Sequence, residues 1–295
     1  MELIVEFGSN ACKVMQCRDN RIFVDYRIPL RLISSLDAEG SLKEQAVQSI
    51  LGIISDIKRR FPEMQKIIVV GTEALRRAKN APKLKEMIVQ QTGQELYILS
   101  EEQEARAAFK GITSALNPSG SILAFDIGGA STELIYGNGE DIEHCESLPM
   151  GAVSLNDQFR TSDPYTNCAF HALELHVEKF LKVLPGKSYT LIGTGGSIST
   201  MAAVAAGMQV FDAEALNGSV LSRAEIFRQV LLYRSYKTPQ ICEIPGMDPA
   251  RADLMLAATM LVCQIIHKAN TDKLTVSTRG VRHGIICARR SGTPL

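Results

Sequence analysis

ILAFDIGGASTELIYG, residues 122–137, decides how the rest of the chain is read. An apolar run, Ile122 to Phe125, ends in an acid, Asp126. Gly128 and Gly129 follow, then Ser131, Thr132 and Glu133, and a second apolar run begins at Leu134. The pattern predicts strand, tight turn, strand. Glycines let a backbone approach a ligand closely and adopt positive φ. Amides of such a turn can converge on an anion such as phosphate. Asp126 and Glu133 flank the turn with hard oxygen donors suited to a divalent cation. The stretch therefore reads as a phosphate cradle with a magnesium site. It is not a P-loop, because the Lys-Ser/Thr ending is missing and a strand pattern follows. A lone Asp-x-Gly-Gly also leaves open an ordinary hairpin with a glycine-rich turn.

The chain has 295 residues, enough for two domains of ordinary size. Hydrophobic residues make up 45% and charged residues 22%, the balance of a globular protein. Formal net charge is zero, which argues against a general nucleic-acid binder, for which a basic excess is usual. No apolar run is expected to reach the length of a membrane span. The opening MELIVEFGSN has no basic region before its apolar segment, so no signal peptide is expected. The seven cysteines are scattered without a Cys-x-x-Cys, as in a reduced, cytoplasmic protein. His171 and His176 stand five apart, off a common helical face and without a cysteine partner, which argues against zinc.

The opening pattern occurs twice. LIVEFGSNACKVMQC (3–17) reads strand, turn, strand, with a third strand at 21–28. A helix at 41–61, with Leu42, Ala46, Ile50, Ile53, Ile54 and Ile57 on one face, leads to a strand at 66–71. Helices at 72–78 and 82–92, a strand at 95–99 and a helix at 101–116 follow. The second half runs hairpin, third strand at 140–148, helix at 165–184 and strand at 188–196. Helices at 197–206, 222–234 and 249–269, a strand at 273–277 and a helix at 280–290 complete it. Such duplication predicts two α/β domains with mixed sheets. The boundary is expected at the NPSGS turn, giving 1–118 and 119–295, with a ligand cleft between the domains. The final helix is expected to pack back on the first domain.

This arrangement resembles the actin, sugar-kinase and heat-shock-ATPase superfamily, with its duplicated ribonuclease H-like domains. Within it, the motifs resemble those of the exopolyphosphatase / guanosine-pentaphosphate phosphohydrolase family. DIGGASTE (126–133) is that family's second phosphate loop, complete, while EFGSNA (6–11) is similar to its first. GTEALR (71–76), SEEQEAR (100–106), MGAVSL (150–155), IGTGGSIST (192–200) and VSTRGVRHG (276–284) resemble further segments, in order along nearly the whole chain. Three residues depart from the pattern: Glu6 stands for Asp, Ala11 for a hydroxyl residue and Gln103 for Glu.

The resemblance implies an Mg²⁺- or Mn²⁺-assisted hydrolase that removes terminal phosphate from inorganic polyphosphate, with guanosine pentaphosphate as a further candidate substrate. Glu104 would be the catalytic base. Asp126 and Glu133 would hold the metal, with Glu6 a third candidate. Gly8, Ser9, Asn10, Arg76, Gly128, Gly129, Ser131, Thr132, Gly195 and Ser197 would bind phosphate. Arg279 and Arg282 are candidates for distal phosphates. The implied partners are polyphosphate or a guanosine penta- or tetraphosphate, with no nucleic acid or membrane and with a homodimer as one possible assembly. Glu6, Ala11 and Gln103 keep a second expectation open, a sensor that binds polyphosphate or an alarmone without turnover. A kinase or ATPase of the same superfamily ranks third.

Overall fold

The computed structural model describes the chain except residues 19–20, 65–66, 140, 182–188 and 293–295. Expected element ends at Lys66, Glu140, 182–184 and Ser188 thus lie outside the described residues. Two compact units emerge, Met1–Glu104 and Ala105–Leu295.

The first unit opens with three antiparallel strands, β1 (Glu2–Phe7), β2 (Ala11–Arg18) and β3 (Arg21–Pro29). Helix α1 (Glu44–Arg60) crosses over to β4 (Ile68–Gly71), which pairs parallel to β1. Helices α2 (Glu73–Arg77) and α3 (Ala81–Thr92) lead to β5 (Leu96–Ile98), parallel to β4. The sheet order is β3-β2-β1-β4-β5. Leu3, Val5 and Phe7 alternate toward Ile50, Ile54 and Ile57 of α1, and all are buried in one apolar cluster. Two-residue periodicity on the strand meets the apolar stripe of the helix, which fixes the register of both. Helix α4 (Glu101–Leu116) follows β5.

The second unit repeats the order. Strands β6 (Ser121–Ile127), β7 (Thr132–Asn138) and β8 (Asp141–Leu148) are antiparallel, and β9 (Thr190–Thr194) runs parallel to β6. An added edge strand, β10 (Val220–Ser222), pairs antiparallel with β11 (Lys273–Val276), giving the order β10-β11-β9-β6-β7-β8. The helices are α5 (Ala152–Phe159), α6 (Asn167–Phe180), α7 (Gly196–Ala205), α8 (Ala213–Leu216), α9 (Arg223–Ser235), α10 (Thr238–Cys242), α11 (Met255–Lys268) and α12 (Val281–Arg290). Helix α11 is the centre of this core, buried along most of its length and packed by α5, α6, α7 and α9. With the 3₁₀ turn before it, the run Pro249–Lys268 is long and apolar enough to cross a membrane by length and composition. That corrects the expectation that no stretch would reach this length. Its apolar window is 72% buried inside the protein.

The division at Glu104 differs from the expected turn at 117–121 for a packing reason. A Cβ on Gly284 of α12 would lie 1.7 Å from the Ala107 carbonyl oxygen, and one on Gly111 would lie 2.2 Å from the Gly280 oxygen. Glycines let α4 and α12 touch backbone to backbone, so residues 105–116 belong to the second core. The final helix thus packs on α4, within the second unit.

Two glycine substitutions separate this contact from helix propensity. Gly284→Ala is expected to destabilise by about 1–3 kcal/mol or more through overpacking. Gly52→Ala, in α1 with no atom near a new Cβ, is expected to stabilise by about 0.5–1 kcal/mol. Thermal unfolding of the two variants measures both signs.

Candidate active site

In the first unit, the β1–β2 turn carries Gly8, Ser9 and Asn10. The Gly8 amide donates to the Ala11 carbonyl at 3.0 Å, closing the turn. The Asn10 carbonyl accepts from the amides of Leu30 and Arg31, and the Ser9 carbonyl accepts from Ile33. The turn is thereby tied to the segment after β3. At the base of the turn, Glu6 and Lys13 are directly opposed across β1 and β2. The Lys13 ammonium donates to Glu6 Oε1 at 2.7 Å.

Arg76 and Glu104 come together in the same unit. Gly71 ends β4, and its carbonyl accepts from the Leu99 amide, which holds the end of β5 beside the start of α2. Arg76 on α2 then forks. Its Nη1 donates to Glu104 Oε2 at 2.6 Å and to the Leu99 carbonyl at 2.8 Å, and its Nη2 donates to Glu73 Oε2 at 2.8 Å. All three side chains are largely buried. Burial opposes the charge of Arg76, but Glu104 and Glu73 outweigh it and raise its pKa above the ordinary value. A planar guanidinium with donors in a fixed fork can orient a carboxylate in a way an ammonium cannot. The structure thus places Arg76 on the expected base, where it holds the carboxylate in position.

In the second unit, the turn Gly128–Ser131 joins β6 to β7. Its carbonyls face the start of α5: Gly128 accepts from Ala152, and Gly129 accepts from Val153 and Ser154. Gly151 allows this contact, since a Cβ there would lie 2.4 Å from the Ala130 nitrogen. Ser131 is buried beside the turn. The Thr132 hydroxyl donates to the Met150 carbonyl at 2.6 Å and is fully buried, so it braces the turn from within. Asp126 and Glu133 are opposed across β6 and β7. Opposed residues of an antiparallel pair point to one face with Cβ atoms about 5 Å apart. Ser147 donates its hydroxyl to Glu133 Oε1 at 3.1 Å.

Two helix starts converge on Asp126. A Cβ on Gly195, the residue before α7, would lie 2.9 Å from Asp126 Oδ1, and its φ of 108° is open only to glycine. A Cβ on Gly280, the residue before α12, would lie 3.8 Å from Asp126 Oδ2. Helix N-termini carry partial positive charge and favour anions. Ser197, in the first turn of α7, is fully buried, and its hydroxyl has no hydrogen-bond partner among the described residues. Arg279, a candidate for distal phosphate or for the helix end, pairs with Glu214 at 3.0 Å.

Sequence reasoning missed Arg251. It is 6% exposed, and a Cβ on Gly196 would lie 2.1 Å from its Nη2. Its guanidinium therefore rests on the first residue of α7. The available signal was an arginine at the entrance of an otherwise apolar helical run, a charge that must find a partner indoors.

The Ppx/GppA phosphatase family model matches residues 20–290. The chain belongs to the Ppx/GppA phosphatase family. Among relatives of this family member, a bifunctional 3-dehydroquinate synthase/phosphatase of Fusobacterium nucleatum is 28% identical over 92% of the chain and 44% of its own length. A guanosine-5'-triphosphate,3'-diphosphate pyrophosphatase of Vibrio campbellii is 26% identical over 96% of the chain and 58% of its own. The chain thus spans about half the length of the curated relatives it matches. The solved Ppx/GppA family member of Aquifex aeolicus superposes with a TM-score of 0.82 at 26% identity, covering 98% of this chain and 97% of that one. An exopolyphosphatase from Cytophaga hutchinsonii has the same fold, with a TM-score of 0.88 at 22% identity over 99% and 98% of the two chains. The mixed α/β architecture with two related sheets is therefore that of Ppx/GppA proteins, on the actin-like plan.

Arg76→Met leaves two carboxylates, Glu73 and Glu104, without their shared cation. It is expected to cost about 3–5 kcal/mol, as for breaking a buried pair. Glu104→Gln keeps an acceptor for the fork and is expected to cost about 1 kcal/mol. Urea unfolding of the two variants tests this order.

Proposed function

We propose that the chain is a phosphoanhydride hydrolase that releases terminal phosphate from inorganic polyphosphate, with guanosine pentaphosphate as a second substrate. The observation that carries this reading is Glu104, a carboxylate held by Arg76 inside a family of phosphatases. Phosphoryl transfer asks little covalent work of a protein and much positioning and charge neutralisation. Glu104 takes the role of general base, orienting a water and accepting its proton. Arg76 keeps that carboxylate in one rotamer, and the Leu99 carbonyl keeps Arg76 in place.

The Gly8 and Gly128 amides close their hairpins, and the other amides of the Gly8–Asn10 and Gly128–Ser131 turns supply donors for phosphate oxygens. The N-terminus of α7, with Gly195, Ser197 and the Arg251 guanidinium, adds a second anion-favouring element. The donor set at Asp126 and Glu133 fits Mg²⁺ or Mn²⁺, since magnesium keeps waters and takes one or two carboxylates plus phosphate oxygens. Such an ion, when bound, would neutralise phosphate charge and stabilise the leaving oxygen. Seven free cysteines suit a reducing, cytoplasmic setting for this activity.

Phosphate release from long-chain polyphosphate and from guanosine pentaphosphate, with magnesium, is the test. Wild type is expected to release phosphate, and Glu104→Gln to lower kcat by about 10²–10⁴-fold while still binding substrate. Equal rates for the two proteins would remove Glu104 from the mechanism. Tight calorimetric binding with no release from either substrate would make the chain a sensor instead.

A further inference from the structure

The two hairpins carry the same register but different charge. In the second unit Asp126 on β6 opposes Glu133 on β7. In the first, Glu6 on β1 opposes Lys13 on β2. Both pairs sit at the turn end of their hairpin, and both strand pairs hold equivalent places in sheets of matching order. One position of the duplicated design is thus acid against acid, the other acid against base. The Glu6 carboxylate is 5% exposed and touches the Lys13 ammonium at 2.7 Å, while the Lys13 side chain is 31% exposed. Gly8 stands close on the other side, for a Cβ there would lie 3.5 Å from the same Glu6 oxygen.

We propose that Lys13 takes, in the first hairpin, the place that a divalent cation takes in the second, so that the chain binds one divalent ion, at Asp126 and Glu133, and Glu6 is not a ligand. The inference rests on the cation pair of the proposed function. Its physical reason is charge balance. A buried carboxylate needs a counter-charge, and Glu6 has one supplied by the chain itself. A divalent ion on Glu6 Oε1 would stand beside the ammonium already bonded to that oxygen, and the two like charges would repel. Asp126 and Glu133 are two acids opposed on one face, with an acid rather than an ammonium on the facing strand, a donor set of the kind a divalent cation takes. The extra methylene of Glu6 has a use in this arrangement, since it carries the carboxylate toward the opposed strand, where Lys13 meets it. Lys13 is a positioning residue here. It fixes Glu6 and, with it, the first turn.

Binding of Mn²⁺ alone, followed by the paramagnetic resonance of the free ion, tests this without any turnover. Wild type is expected to bind one ion. Asp126→Asn and Glu133→Gln are expected to weaken binding on the order of tenfold or more, and Glu6→Gln to leave it unchanged. A loss in Glu6→Gln equal to that in Asp126→Asn overturns the inference while leaving the Asp126–Glu133 pair intact. Unchanged binding in both Asp126→Asn and Glu133→Gln removes the pair itself, and the inference with it. Lys13→Met provides the second variant should Glu6→Gln fail to fold. With the ammonium gone, Glu6 becomes available to a cation, and Mn²⁺ binding is expected to rise above wild type in stoichiometry or affinity. A Lys13→Met protein that binds Mn²⁺ as wild type does overturns the inference.

Discussion

Antiparallel register is the constraint on which the sites of both units depend. In a strand pair, side chains repeat every two residues, so a slip of one residue would send Asp126 and Glu133 to opposite faces. Several contacts outside the strands hold that register. The Gly128 and Gly129 carbonyls engage the first turn of α5, Gly151 lets that turn come close, and the Thr132 hydroxyl bonds to Met150. The segment DIGGASTE therefore carries two kinds of residue. Some present chemistry to a ligand, and some lock the hairpin so that the chemistry points one way. Thr132 is of the second kind.

The first unit places its base by a different device. Glu104 starts a helix, where a glutamate would ordinarily be solvated. Arg76, fixed by the Leu99 carbonyl and shared with Glu73, draws it indoors. Replacing the arginine by lysine would keep the charge and lose the fork, and with it the geometry.

Much of this was legible in the sequence. Long amphipathic segments announced themselves, and α4 came out with the expected limits of 101–116. Strand–turn–strand hairpins with acid and glycine were readable because their periodicity and turn chemistry agree. Short or mixed elements were not. Edge strand β10 has 3 residues, and α5 has 8, too few for a pattern to rise above chance. Which compact unit each segment joins was hard to read, because proline and glycine mark a turn but do not say which core a preceding helix joins. That choice was made by Gly111 and Gly284, whose small size matters only once α4 and α12 meet. Partner choice was equally hidden. Nothing in the order of residues tells that Arg76 will meet Glu104, or that Arg251 will meet Gly196, since those contacts arise from chain segments far apart.

The Gly196–Arg251 contact also bears on how this protein can change over generations. A methyl group at position 196 would overlap the guanidinium, so alanine there requires the Arg251 side chain to move or to become smaller. A smaller residue at 251, in turn, gives up a buried positive charge at the start of α7. The two positions are therefore coupled, since a change at one alters the space or the charge met by the other.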